Sequence, residues 1–525
     1  MTEITRRAAF GAGLALAAPR LAGAQAAPRV LRFVPQADLR AIDPVQTNAY
    51  ITRNFGYLVF DTLFALDANY RPQPQMVERW TVSDDRLTWR FILREGLSWH
   101  DGTPVAAADC VASVTRWAKR DTIGLRLMAT AQSLSPDDAR SFTLHLREPF
   151  AQVLAALAKP SSLPLFMMPE RLASLDPATA IPEAIGSGPY RMIRDEWDPG
   201  NKVVFARNAA YRSRPEPASF CAGGKAAHFD RVEWISMPDA ATATAALTRG
   251  EVDWYELPPF DLLPSLARAR NVSVARVDPL GSQALMRFNQ LVPPFDKLAA
   301  RHAIAAAVSQ EDYLTAIAGD AQYWRTCNSV YACGTPLSSE AGTEILRAPR
   351  SLDRARALLR ESGYAGEKVI VLSAGEVQMM QSQALVTADL LKRLGMNVEL
   401  QATDQGAFFS RRNNRELGAR GSWHVFHTWI TALDTVNPSV NFVTRADGGY
   451  AGWNEDAGIE RLRADWLGAR DEAEGKRLAD EVQRRTLEQV NYIPLGQFYV
   501  PTAFRSNLTG IIEGPLFLFW NVRRG

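Results

Sequence analysis

The chain has 525 residues, 47% of them hydrophobic and 22% charged, with a formal net charge of +2. That length gives two or three domains with ample core for each. The near-balance of charge argues against nucleic acid and against an anionic membrane surface as partners.

The N-terminus reads Arg6-Arg7, then a weakly apolar Gly/Ala-rich run to Ala18, then Pro19, Arg20 and Ala24-Gln25-Ala26. A charged start, a short apolar core and small residues at an A-x-A site describe a secretory signal over residues 1–26. The paired arginines and the late Arg20 resemble a twin-arginine signal; an ordinary Sec signal is the alternative. Removal of residues 1–26 takes away Arg6, Arg7, Arg20 and Glu3 and leaves basic and acidic side chains in balance. Neither this segment nor any later run reaches the about 18–20 apolar residues that span a bilayer.

Val30–Val34 reads as a strand, followed by a loop from Asp43-Pro44 to Tyr50 and a helix over Tyr57–Phe64. In Thr88–Arg94, Trp89, Phe91 and Leu93 alternate with polar residues, the pattern of a half-buried strand. Asp101-Gly102 is a turn pair, and Thr103 can cap a helix starting at Pro104. Cys110, Val111, Val114 and Trp117 make an apolar helical stripe. Phe142, Leu144 and Leu146 alternate in another strand before a helix near Val153–Ala158. Gly186-Ser-Gly-Pro-Tyr190 turns into a strand over Tyr190–Ile193. It has no P-loop lysine, which excludes a phosphate cradle. Ala240–Arg249 is helical and stops at Gly250, and Leu285–Asn289 is a strand. Helices over Asp353–Ser362 and Ser382–Leu394 end at Gly363 and Gly395 and alternate with strands over Val369–Ser373 and Asn397–Ala402, which means an α/β unit. Two charged helices follow, near Asp456–Leu467 and Asp471–Asn491.

The ordered series Tyr57–Phe64, Met76–Trp80, Thr88–Gly96, Trp99–Pro104, Asp109 and Ser113–Trp117 resembles the opening signature of the large solute-binding proteins of dipeptide, oligopeptide and nickel importers (family 5). Gly186–Tyr190, Asn208 with Tyr211, Pro294-Phe295-Asp296 and Arg301–Ile304 continue it. The resemblance implies an α/β, two-lobed periplasmic binding protein fold (type II, large cluster C form) with an extra subdomain inserted in lobe I. It divides the chain into lobe I at 27–55, an inserted subdomain at 56–187, lobe I again at 188–284, lobe II at 285–493 and a return to lobe I at 494–525. It implies a periplasmic, monomeric receptor with no catalytic machinery and no cofactor, which delivers a peptide, amine or opine-like solute to the permease subunits of an ABC transporter. A sugar or metal-chelate binder on the same fold, a periplasmic hydrolase and a chaperone-like binder are the alternatives.

The chemistry-bearing residues are sparse. Of six histidines, His424 and His427 are the close pair; in a strand they point to opposite faces and would not chelate a metal together. His100 reads as a turn residue. No Gly-x-Ser-x-Gly, His-Glu-x-x-His or Cys-x-x-Cys occurs. Among four cysteines, Cys327 and Cys333 bracket a loop short enough for a disulfide in an oxidising compartment, free thiols being the alternative. Cys110 reads as a core residue, and Cys221 is unassigned. In peptide-binding relatives a tryptophan-bearing strand leads to an Asp four residues before a Pro, and that Asp holds the ligand's ammonium group. Here Asp434 stands four residues before Pro438. The resemblance thus makes Asp434, with Trp423, Trp429, Thr431 and Tyr50, the ligand-binding set; a plain turn residue is the other reading of Asp434. Trp429 lies five residues ahead of Asp434, where the family has about three. The segment Gly375–Met380 lacks the arginine that takes a dipeptide's carboxylate. The first departure would shift which backbone groups face the ligand; the second counts against a free dipeptide. Thirteen tryptophans could stack on sugars, though core packing explains most of them.

Overall fold

The computed structural model describes residues 28–416, 423–469 and 471–525; the expected signal lies outside them. Two sheets organise the chain. In the first, the strand Val30–Val34 runs parallel to Arg231–Ile235 and Trp254–Tyr255. The full order is Tyr190–Met192, Lys202–Arg207, Arg231–Ile235, Val30–Val34, Trp254–Tyr255, Thr502–Arg505, Val272–Ala275. Phe33 anchors it, packing edge-on against Trp254 and Phe519 at ring distances of 5.3 and 4.9 Å. The burial of such aromatic faces is the main stabilising term for a sheet of this kind.

The second sheet has the order Trp324–Arg325, Tyr492–Phe498, Ser282–Phe288, Val425–Thr431, Lys368–Ala374, Asn397–Thr403. Its last two strands are parallel and are joined through the helix Gln378–Arg393, the crossover that parallel strands require. This sheet belongs to one contiguous stretch of chain. The chain enters it through residues 276–281 and leaves through residues 499–501. The entering and leaving strands pair with each other, Ser282 opposite Phe498. Gly281, at φ +67°, sits where they touch: a Cβ there would stand 2.4 Å from the Phe498 carbonyl oxygen. Only glycine fits both that backbone angle and that approach.

A four-stranded antiparallel sheet lies between the first strand and the rest of the first sheet in sequence. Its order is Val77–Val82, Thr88–Leu93, Ser141–Leu146, Ala131–Pro136. Trp89, Phe91 and Leu93 are buried on one face, as their alternation predicts. Cys110, Val114 and Trp117 of the helix Ala107–Ala118 are buried and Val111 half-buried.

Three helix starts differ from expectation, one of them Gln378, four residues ahead of the expected Ser382. The first helix spans Tyr50–Val59, not Tyr57–Phe64. Its last turn closes with Phe60 N–H on Gly56 O. Asp61, held by Lys225 Nζ at 2.7 Å and the Tyr211 hydroxyl at 2.9 Å, then draws the chain into an extended pairing with Phe166–Met167. Another helix begins at Ala107 rather than Pro104. The Asp109 carboxylate, inside its first turn, accepts from Ala106 N–H at 2.8 Å, whereas the Thr103 hydroxyl is spent on Asp101. The step from Gly186 to Tyr190 packs on the end of the first helix. Gly188 N–H donates to Val59 O, and a Cβ on Gly186 would stand 2.0 Å from that oxygen. His100 clasps the same step, Nε2 to Gly188 O at 3.1 Å and Nδ1 to Gly186 N at 3.3 Å. Burial lowers its pKa to about 4, so it is a neutral structural residue.

Candidate functional site

The first helix meets the end of the strand Val425–Thr431. That strand pairs with Ser282–Phe288, Thr431 opposite Ser282. Its end therefore lies at the crossing segments. Ala432 N–H bonds Gly281 O at 2.9 Å. The turn Ala432–Thr435 follows, fastened by the Thr435 hydroxyl on Ala432 O. This turn aims Asp434 at the first helix. The Tyr50 hydroxyl donates to Asp434 Oδ2 at 3.0 Å and accepts from Thr431 N–H at 3.2 Å. The Tyr50 ring lies 6.1 Å from that of Trp429.

One turn further along the helix, the Arg53 guanidinium stacks 4.5 Å from the centre of the Tyr50 ring. It donates to Ser161 Oγ at 2.7 Å and to Asn54 Oδ1. Asn54 in turn donates to Glu256 Oε1 at 3.1 Å, and Gln36 N–H donates to Oε2 at 2.7 Å. Glu256 is fully buried, and burial lifts its pKa to about 7 against those hydrogen bonds and the Arg53 charge. Arg53 and Glu256 carry no motif, and sequence reasoning missed both.

Asp434 is 1% exposed. Burial raises its pKa, opposed by Arg53, the Ser161 hydroxyl, Lys159 and Tyr50. Ser161 lies close enough to favour the ionised form but makes no well-formed hydrogen bond to Oδ1. Among the described residues, Oδ1 is a buried acceptor without a partner. Asp434 is therefore shielded from water.

Of the expected set, Tyr50, Trp429, Thr431 and Asp434 come together and Trp423 does not. Trp423 is fully buried in a separate core, 5.2 Å from the ring of Phe426 and 5.3 Å from that of Trp453. The reason is geometric. A strand advances about 3.3 Å per residue, so Trp423 lies ~20 Å from Trp429, towards the far end of the sheet.

His424 and His427 have separate structural partners. His424 Nδ1 accepts from Ile370 N–H at 3.0 Å, and His427 Nε2 faces Thr387 Oγ1 at 2.8 Å. Burial lowers their pKa values to about 4 and about 3. Among the described residues no group of three or more His, Cys, Asp or Glu could hold a metal ion. Cys327 and Cys333 are joined as a disulfide with Cα atoms 5.9 Å apart, and Cys110 and Cys221 are buried free thiols.

The buried Asp434 carboxylate is thus held by a tyrosine hydroxyl from a distant segment of the chain. The description of bacterial extracellular solute-binding proteins, family 5, matches residues 71–447. The chain belongs to that family. A probable peptide ABC transporter periplasmic-binding protein of Sinorhizobium fredii, y4tO, is 37% identical over 99% of both chains. A dipeptide-binding protein from Pseudoalteromonas sp. SM9913, solved with Met-Leu, superposes with a TM-score of 0.79, covering 95% of this chain and all of the other at 19% identity. The periplasmic binding protein AgaA of A. tumefaciens R10, solved with agropinic acid, gives 0.77, covering 94% of this chain and 99% of the other at 20% identity. The two-lobed α/β expectation and the solute-binding reading hold for this family 5 protein.

Proposed function

We propose that this family 5 protein captures a small organic solute bearing a cationic group, a peptide, amine or opine-like compound, between its lobes and delivers it to an ABC permease. The observation that carries the reading is the unpartnered Asp434 Oδ1 in a water-poor contact between lobes. A buried acceptor left alone costs about 1–3 kcal/mol, and an ammonium group would satisfy it with a charge-assisted bond. Tyr50 gathers the others at this point, bonding Asp434 and the Thr431 N–H and packing beside the Trp429 ring. The relatives solved with Met-Leu and with agropinic acid support solutes of that size. The role requires export, loss of residues 1–26 and a monomer in the periplasm. It assigns 27–55, 188–284 and 494–525 to lobe I, 285–493 to lobe II, and 56–187 to the inserted subdomain.

Native mass spectrometry of protein purified from its own periplasm tests the reading. A co-purified cationic solute that Asp434→Asn no longer retains is the expected result. A retained neutral solute would overturn it. N-terminal sequencing of the same material tests export, and an intact Met1 would refute cleavage.

A further inference from the structure

A second charged feature faces the interlobe space. A cavity of about 140 Å³ opens between Arg120, Asp121 and Lys159 on the first-lobe side and Ser439, Arg445 and Arg463 on the second. Its volume equals several water molecules at ~30 Å³ each, room for a carboxylate and a short stem. Four cations line it against one carboxylate. Asp121 is already committed: it pairs with Lys159 and accepts from Ile123 and Gly124 N–H at the start of their helix. Arg463 is buried and spends Nη1 on Asn441 O at 2.8 Å and Thr444 Oγ1 at 2.5 Å. Arg445 reaches Asp447 at 2.6 Å at a half-exposed edge. Arg120 has no ion pair among the described residues, and its Nη2 makes a long 3.4 Å bond to Gln46 O.

We infer that this cavity is an anion subsite, which takes a carboxylate or similar oxyanion of the solute and draws Arg445 and Arg463 toward Arg120 and Lys159. The inference rests on the interlobe space being the solute site, and it adds a second charge to the solute's description. The physical ground is the sign of the lining. Lys159, Arg445 and Arg463 are paired with Asp121, Asp447 and Glu460, so Arg120, with no ion pair among the described residues, gives the gap its net positive sign, and that charge is felt more strongly as water leaves. An anion there offsets it, and guanidinium groups are suited to hold it through paired N–H donors. Lys159 belongs to both features, since it lines the cavity and is one of the charges felt by Asp434. The solute that fits both is zwitterionic, with a cation at Asp434 and an acidic group toward Arg120 and Arg445. The carboxylate-binding arginine missing near Gly375–Met380 is thereby replaced from a different part of the chain.

The test uses succinate on the mature, solute-free protein, followed by thermal unfolding at constant ionic strength, with succinamide as the neutral control. Succinate should raise Tm saturably by about 2 °C and succinamide should not. In the double variant Arg120→Gln/Arg445→Gln the saturable rise, read against that variant's own Tm without succinate, should disappear. Asp434→Asn should keep the succinate response, which separates failure of the anion subsite from failure of the cation reading. No saturable response, or an equal response in the double variant, would overturn the subsite.

Discussion

The Tyr50 hydroxyl and Asp434 Oδ2, 384 residues apart in sequence, are 3.0 Å apart in space. One stands at the start of the first helix and the other in the turn that ends a second-lobe strand. The bond joins these two distant segments at a carboxylate whose other oxygen has no partner among the described residues. Burial makes that carboxyl a desolvated acid with a raised pKa.

The pH dependence of solute binding follows from that acid. Burial raises the Asp434 pKa, and a cation prefers the ionised form. Affinity for the co-purified solute should therefore rise with pH through the Asp434 pKa, with proton release on binding below it. Calorimetry in buffers of different ionisation enthalpy measures the protons. Asp434→Asn should abolish the release and weaken binding by about 1–3 kcal/mol. The empty variant should not melt lower than wild type, because a neutral amide removes the cost of a buried charge.

Glu256 gives a second titration of known sign. Its folded pKa of about 7 exceeds the ordinary 4.5, so the folded protein holds the proton more tightly than the unfolded chain. The penalty for ionising it is absent below pH 4.5 and complete above about pH 7. It amounts to about 3 kcal/mol. Unfolding free energies of wild type and Glu256→Gln should therefore diverge in favour of the variant as pH rises from 4.5 to 7.5. A pH-independent difference would contradict the buried acid. The buried histidines act the other way: their lowered values remove stability as pH falls below 6.5. This is why the measurement is a difference between two variants.

The two tryptophans of the second-lobe strand should separate cleanly. Trp423→Ala opens a core against Phe426 and Trp453 and should cost about 3–5 kcal/mol of stability, with solute affinity unchanged in the folded fraction. Trp429→Ala, beside Tyr50, should instead weaken the solute and leave Tm nearly unaltered. Guanidinium unfolding and solute titration of both proteins decide this.

Non-reduced peptide mapping should find Cys327 linked to Cys333, with Cys110 and Cys221 unlinked. Replacing both linked residues by Ala should lower stability by about 2–3 kcal/mol, the loop-closure value for so short a ring. Free thiols at both positions would refute the pairing.

Small-angle scattering should give a smaller radius of gyration with the co-purified solute than without it, because the lobes turn about residues 276–281 and 499–501. Gly281→Ala should disturb that turn, since it meets Phe498 O and forces a left-handed backbone angle costing about 1–2 kcal/mol. An unchanged radius at saturation would count against closure.

Local signals in the sequence were read most accurately where one residue decides the outcome. Ala240–Arg249 ends at Gly250 in the left-handed conformation, where glycine alone is comfortable. The alternation through Trp89, Phe91 and Leu93 gave both the strand and its buried face. The start at Ala107 was misplaced because its cap comes from a residue inside the helix, Asp109, and not from the Thr103 ahead of it. Asp434, Trp429, Thr431 and Tyr50 were reachable through family resemblance and do converge. Trp423 misled because proximity along a strand is not proximity in space. Arg53, Glu256 and the Arg120–Arg445 cavity were invisible, because they arise when distant segments meet and no local period encodes them.

The seven-stranded sheet places Thr502–Arg505 between Trp254–Tyr255 and Val272–Ala275. During synthesis, the Val272–Ala275 strand has nothing to pair with until nearly the whole chain has been made. The second-lobe sheet lacks Tyr492–Phe498 for almost as long. Both sheets thus wait for one short C-terminal stretch, and the closure entropy of a loop of more than two hundred residues must be met at the end. Folding of this protein is timed by its tail. A truncation of some thirty residues would leave two incomplete sheets with open edges, a state prone to aggregate rather than a smaller receptor.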